Sequence, residues 1–276
     1  MINGAMSNAY VMGSGEAELE RLARQAHLFE QQSRALLDRT SLHTGMRALD
    51  IGCGPVGILD LLAEVVGPEG EVLGIDSNSE MVATATRFAA ARGLDRVRVE
   101  VADARATRLA SDQFDLVHAR LVLLHAADPQ ALVAEMVRVC RPGGVVAVHD
   151  VDSESWYCEP SHPAWPRLAE AFLHILAARG TWRPHLGRSL YGILRHAGLE
   201  NVDVTAFPEL WRSDDYYREK LIIFVESVRT QIVDRGLVSE PELDQLIAEL
   251  RLHLANPNTI VFGGVHFQAW GWKPQR

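Results

Sequence analysis

The sequence predicts an α/β protein: a doubly wound, mostly parallel sheet of seven strands, with a helical arm ahead of it and a helical insertion near the carboxyl end. Three observations carry this. Between residues 47 and 150, short apolar runs alternate with helix-length amphipathic stretches, the pattern of βαβ units. The first apolar run ends in a cluster of glycines. After residue 150 the strands thin out and aromatic residues gather: of 19 Phe, Trp and Tyr, only Tyr10, Phe29, Phe88 and Phe114 come earlier.

Taken in order, residues 16–37 are predicted helical, because Leu19, Leu22, Ala26 and Phe29 recur at steps of three and four. Arg47–Ile51 is a strand and Ile58–Val66 a helix stopped by Gly67-Pro68. Glu71–Ile75 is the second strand, followed by a helix over Ser79–Ala91 with Gly93 just beyond it. Val97–Val101, Phe114–His118 and Val145–His149 complete five strands, with a helix at Pro129–Cys140 before the last. Right-handed crossovers put helices on both faces. Later, 164–178 and 188–197 read as helices and Asn201–Phe207 as a strand. Tyr217–Val233 is helical, with Leu221, Phe224, Val228 and Ile232 on one face. Ser239-Glu240-Pro241-Glu242 is a capping box opening a further helix, and Thr259–Trp270 is the closing strand.

Composition excludes several classes. Hydrophobic residues at 47% and charged residues at 23% are ordinary for a globular chain. No stretch approaches the ~20 apolar residues that span a bilayer, so no membrane partner is expected. A net charge of −9 without a basic run argues against nucleic acid. Cys53, Cys140 and Cys158 are odd in number and lack a C-x-x-C spacing. Neither a disulfide framework nor a metal site is expected, and a reducing cytoplasm fits. Met1–Tyr10 does not read as a secretory signal.

The segment Ala48-Leu49-Asp50-Ile51-Gly52-Cys53-Gly54-Pro55-Val56-Gly57 carries the chemistry. Glycines let a ligand approach the backbone and supply unusual torsions. By spacing alone, Gly52, Gly54 and Gly57 form G-x-G-x-x-G, which admits a nicotinamide dinucleotide or another adenosine ligand. Asp76 ends the second strand 24 residues after Gly52, where a carboxylate can accept from two ribose hydroxyls.

Leu49-Asp50-Ile51-Gly52-Cys53-Gly54 resembles motif I of the class I S-adenosylmethionine-dependent methyltransferases of small molecules. The resemblance runs on through Gly74-Ile75-Asp76-Ser77, Val101-Ala102-Asp103-Ala104, Phe114-Asp115-Leu116-Val117-His118-Ala119 and Cys140-Arg141-Pro142-Gly143-Gly144, in order. The closing Ala269-Trp270-Gly271-Trp272-Lys273-Pro274 and the opening Tyr10-Val11-Met12-Gly13 also resemble members of this family. The resemblance implies a Rossmann-like sheet and S-adenosylmethionine as cofactor. It implies an arm over 1–40 covering the site, a cofactor-binding core over 41–155, and an aromatic-rich lid with closing strands over 156–276. Asp50 would face the cofactor's ammonium end, and backbone groups of Gly52, Cys53 and Gly54 would hold its amino-acid moiety. Asp76 would take the ribose, Ser77 and Met81 would flank the adenine, and Asp103 and the Ala104 amide would bond it. Ala119 and Arg120 would lie near the methyl group, with Tyr10 and Gln25 reaching over from the arm. Pro55-Val56 departs from the family's turn, which commonly has a third glycine closer by; Gly57 is expected to compensate.

His125 follows the fourth strand and His149 ends the fifth, where an imidazole of ordinary pKa ~6.5 suits proton removal. Asp150 and Asp152 beside them are either proton acceptors or caps of the next turn. Trp156, Tyr157, Trp182, Tyr191 and Trp211 are the expected substrate wall, because aromatic faces bind flat or apolar ligands and steady cationic charge. That favours carbon methylation of an isoprenoid or other natural product; O- or N-methylation with a histidine base is the alternative. A nicotinamide-dependent reductase leaves the Pro142-Gly143-Gly144 and Asp103 segments unexplained. A non-catalytic cofactor-binding protein is a further alternative. The arm packs either on its own sheet or, exchanged, on a second copy in a homo-oligomer.

Overall fold

The computed structural model describes residues 16–178, 180 and 183–275. Its elements are α1 (Glu16–Leu28), α2 (Glu30–Leu37), β1 (Arg47–Ile51), α3 (Leu59–Val66), β2 (Glu71–Asp76), α4 (Ser79–Ala91), β3 (Val97–Val101), β4 (Phe114–Arg120), α5 (Pro129–Val139), β5 (Cys140–Asp152), β6 (Tyr157–Glu159), α6 (Ala164–Ala177), α7 (Leu186–His196), β7 (Glu200–Trp211), α8 (Lys220–Ser227), α9 (Arg229–Asp234), α10 (Glu240–Leu254) and β8 (Ile260–Trp272). Short 3-10 turns occupy Leu123–His125 and Tyr216–Glu219. Among the described residues, no helix is long and apolar enough to cross a membrane.

Three local expectations are refined. The arm helix breaks at Phe29, whose buried ring turns onto the sheet. The helix expected over 217–233 is a 3-10 turn followed by α8 and α9. The seven strands are joined by a three-residue eighth, β6, too short to show any alternation.

The chain folds as two units that interleave in sequence. Among the described residues, one holds 21–156, 180, 183–210 and 262–275; the other holds 16–20, 157–178 and 211–261. In the first, the strand order is β3-β2-β1-β4-β5-β8, with β7 beside β8. β1 to β5 run parallel and β8 antiparallel to β5. The order reverses between β1 and β4, so the ligand crevice of such a sheet lies beyond the carboxyl ends of these two strands.

Alternation along the strands sorts side chains onto two faces. Leu49, Ile51, Val117, Ala119, Val146 and Val148 pack under Leu132, Val133 and Met136 of α5 and Leu190 and Leu194 of α7. Ala48, Leu116, Val145 and Ala147 pack under Leu36 and Leu37 of α2 and Leu59 and Leu62 of α3. Asp50, His118 and His149 therefore belong to the α2 face. Caps fix the helix starts: Asn78 Oδ1 accepts from the Glu80 and Met81 amides at 2.9 and 3.3 Å, and Asp128 caps α5 before Pro129. Each such cap stabilises by about 1 kcal/mol.

The second unit is mainly helical. Leu168, Phe172 and Ile175 of α6, Leu221 and Val225 of α8, and Leu243, Ile247 and Leu250 of α10 are all buried. Phe172 stacks on Phe224 at 5.4 Å. Ser239 caps α10 through the Glu242 amide, as the capping box predicts, but the Glu242 carboxylate turns to Arg167 instead of back to the cap. β6 pairs with β8, whose first two residues belong to this unit.

Candidate active site

β1 runs out of the sheet into a turn where Gly52, Gly54 and Gly57 hold φ of +66°, +58° and +55°. A β-carbon on Gly57 would lie 2.5 Å from the Cys53 carbonyl oxygen and 2.8 Å from an Asp50 carboxylate oxygen. Gly57 is therefore the closing glycine of the turn, which is why Pro55-Val56 is accommodated. The Gly52 and Cys53 amides both donate to the Ile75 carbonyl, at 2.8 and 3.0 Å. The Gly54 amide donates to Asp76 Oδ2 at 3.0 Å. With these donors committed, the turn has carbonyl acceptors to offer. That suits an ammonium group and not a pyrophosphate, which needs the amides.

Asp50 is buried at the foot of the turn, and its Oδ1 lies 2.7 Å from His118 Nδ1, also buried. His118 locks the carboxylate in place; sequence reasoning passed over this residue. Asp76 Oδ1 accepts from the Asn78 amide at 2.9 Å, and burial raises the Asp76 pKa against the pull of its amide donors. Asp103, at the tip of β3, is half exposed, and its ion pair with Arg105 at 2.6 Å keeps its pKa low. Ser77 is exposed, Met81 is buried in the first turn of α4, Ala104 packs against the core and Ala119 lies within it. Burial raises the Cys53 thiol far above its ordinary range, so it stays protonated and is no nucleophile.

These groups match the chemistry of a sulfonium nucleoside bearing an amino acid. Acceptor carbonyls with the pinned Asp50 suit its ammonium. Asp76, desolvated and aligned by backbone donors, suits ribose hydroxyls. Asp103 suits an exocyclic amine. The residues present fit the group.

Beyond the turn, a polar row crosses the α2 face. Arg120, the last residue of β4, donates to Ser33 Oγ of α2 at 3.1 Å and to the Gly57 carbonyl at 3.0 Å. Its guanidinium lies 5.9 Å from the Phe29 ring centroid, and burial lowers its pKa. In register beside it on β5 is His149. His149 is 1% exposed and meets Phe29, Phe207 and His266 ring to ring at 5.1–5.5 Å. Burial, then the neighbouring His266, Arg120 and His118, put its pKa well below the ordinary histidine value, so it is neutral. Gln268 of β8 donates to the Gln32 carbonyl of α2 at 2.9 Å. Thus α2 covers the row with Phe29, Gln32 and Ser33.

On the opposite face, Asp150 is fully buried and accepts from the Leu124 amide at 3.1 Å. It caps the 3-10 turn that ends in the half-buried His125. Desolvation outweighs its amide donors and pushes its pKa up to about 7. Asp152 pairs with Arg188, which also holds Glu154 at 3.0 Å. Among the described residues, Asp152, Glu154 and His185 are the one trio with donor atoms within 4.8 Å of one another, and this arginine already neutralises it.

The described residues of the expected aromatic wall belong to both units. Trp211 is interior packing of the helical unit, 5.9 Å from Tyr217 and with the Lys220 ammonium 4.9 Å over its ring. Tyr191 is exposed on α7 beside Arg195. Tyr157 is exposed on β6. Trp156 lies over Gly264, where a β-carbon would come 2.8 Å from its Nε1. Gln25 is partly buried on α1. Tyr10 and Trp182 lie outside the described residues.

The profile of a family described as a methyltransferase domain matches residues 42–197. A demethylmenaquinone methyltransferase of Geobacillus kaustophilus is 36% identical over 110 residues, covering 40% of this chain and 47% of its own. A nocamycin O-methyltransferase of Saccharothrix syringae is 35% identical, covering 46% and 45%. The chain spans about half the length of these relatives. In fold it is similar to Haemonchus contortus phosphoethanolamine N-methyltransferase 2, solved with phosphomonomethylethanolamine and S-adenosylhomocysteine. There the TM-score is 0.56 at 22% identity, over 89% of this chain and 53% of that one. With the profile spanning more than half of its length, the chain belongs to the class I S-adenosylmethionine-dependent methyltransferases.

Proposed function

We propose that this chain moves the methyl group of S-adenosylmethionine to a protic oxygen or nitrogen of a small metabolite. The observation that carries the reading is the set of groups at the carboxyl ends of β1, β2, β4 and β5. Asp50 and Asp76 are aligned for the cofactor, while the neutral imidazole of His149 stands in register with Arg120. When bound, the cofactor supplies an electrophilic methyl on a sulfonium. The protein's part is to orient it, exclude water and take the acceptor's proton. His125, at the end of the turn capped by Asp150, is the second imidazole at this end of the sheet. The relatives' names support a small-molecule acceptor without choosing its atom, since demethylmenaquinone, nocamycin and phosphoethanolamine are all small molecules.

Carbon methylation of an isoprenoid double bond leaves a cation that calls for aromatic faces around it, and the interior Trp211 and exposed Tyr191 lend that route little support. Calorimetry with S-adenosylhomocysteine and with NADH tests the cofactor: binding of the first alone is expected, and binding of NADH alone overturns the reading. Incubation with methyl-labelled cofactor and small-molecule extract of the source cells, followed by mass spectrometry, tests the acceptor. An O- or N-linked label is expected; a C-linked label overturns the protic assignment and leaves methyl transfer standing.

A further inference from the structure

On the α2 face the polar row does not stop at His149. Its Nε2 lies 2.9 Å from His266 Nδ1, from a residue 117 positions later on β8. His266 Nε2 lies 3.3 Å from Glu209 Oε1 on β7, and all three side chains are buried. Phe207 stacks on the His266 imidazole at 5.3 Å and 15°, and Phe29 lies 4.7 Å from it, so the rings are held in line. His149 Nδ1, at the near end, has no hydrogen-bond partner although it is buried. One tautomer set fits these distances: His266 keeps its proton on Nε2, within ion-pair distance of the Glu209 carboxylate, His266 Nδ1 accepts from His149 Nε2–H, and the lone pair falls on His149 Nδ1.

We propose that Glu209 and His266 form a buried relay that fixes the tautomer of His149 and makes its Nδ1 the base for the methyl acceptor. This rests on the protic reading above. As the acceptor's bond to the methyl carbon forms, the carbon–sulfur bond breaks and its electron pair stays on sulfur. The acceptor's proton passes to Nδ1. The Nε2 proton of His149 then moves to His266, whose imidazolium sits against the Glu209 carboxylate.

The relay answers an electrostatic difficulty. A desolvated imidazole facing Arg120 and His118 of β4, and covered by Phe29 of the arm, holds an added proton poorly. Passing the charge one ring further places it beside the one anion that β7 brings to the row. Glu209 and His266 are thus positioning residues that act through His149. An uncharged pair of the same size would pack as well, so packing alone does not call for a carboxylate here.

The test uses the full chain with nitrogen-15 in its histidines. At neutral pH, nitrogen NMR is expected to show His149 protonated on Nε2 and bare on Nδ1, and His266 protonated on Nε2. Glu209→Gln keeps size and acceptor but removes the charge; it should lower the His266 titration midpoint by about one pH unit or more. Glu209→Asp should restore most of it. In the labelled-extract assay, Glu209→Gln should lower kcat ~10-fold or more, with KM for the methyl donor changed less than ~3-fold. A proton on His149 Nδ1, or a His266 midpoint within about 0.3 pH unit of the parent in Glu209→Gln, overturns the relay. Absence of S-adenosylhomocysteine binding would instead defeat the methyltransferase reading, while the tautomers still decide the relay.

Discussion

At the amino ends of β4 and β5, Asp115 accepts from the Arg47 amide at 2.8 Å and pairs with Arg141. Lys273 donates to the Val137 and Cys140 carbonyls and pairs with Asp112, and the Gly143 amide donates to the Lys273 carbonyl. At the carboxyl ends of the same strands, Arg120 donates to neutral oxygens, His149 holds a bare nitrogen and Asp150 is buried against the Leu124 and Val151 amides. Both ends carry the family's motif residues. At the first end the charges meet their opposites; at the other, Asp152 alone does so, through Arg188, while Arg120, His149 and Asp150 are left desolvated and poised. The first pattern is scaffold and the second is chemistry, because a protein keeps unpaired buried groups where a ligand or reaction uses them.

Glycine substitutions at the two ends should show the largest contrast. Gly57→Ala drives a β-carbon into the Cys53 carbonyl and should weaken S-adenosylhomocysteine binding ~100-fold or more by calorimetry. Gly144→Ala meets the Asp115 carbonyl at 2.9 Å and should lower Tm, with the affinity of the folded protein within about threefold. Equal losses of affinity would erase the distinction.

Next is the region the aromatic count favoured. Trp211→Ala should cost about 3 kcal/mol in urea unfolding, as for an interior ring. A variant of parental stability with impaired methyl transfer would return Trp211 to the substrate wall.

Asp150 sharpens the comparison through pH. Its pKa is about 7 in the fold against 3.8 for a free side chain. Between about pH 4 and 7 the folded chain holds a proton that the unfolded chain has lost, so this group's contribution to stability is present at low pH and falls as pH rises. Asp150→Asn keeps the acceptor for Leu124 and should remove a decline of up to a few kcal/mol. Urea midpoints measured across that window in both proteins check this, and parallel curves would contradict it. Smallest of all, Tyr191→Ala on the exposed side of α7 should change stability by less than about 0.5 kcal/mol and leave methyl transfer intact.

Much of this molecule is written locally. The β1 run, the glycine turn and Asp76 lie within thirty residues, and period-two and period-three-to-four patterns fix strand and helix without help from afar. Gly57 is legible for the same reason, since a turn of that length must close through some residue of positive φ. The Asp50–His118 pair needed β1 and β4 side by side, although a histidine inside an otherwise apolar strand was a signal within reach. Glu209, His266 and Ser33 gave no such sign. They reach Arg120 and His149 only because β8 runs antiparallel beside β5, β7 pairs with β8, and the break at Phe29 lays α2 over the row. Aromatic enrichment misled for the converse reason: composition counts rings but cannot say which face they take, and Trp211 went to the interior of its own unit. Sequence by itself determined the strand alternation, the glycine turn and the acids at the ends of the strands around it, because these depend on torsions and near neighbours. Tertiary structure alone decided which titratable groups share one dry surface, because strand order and register set those distances.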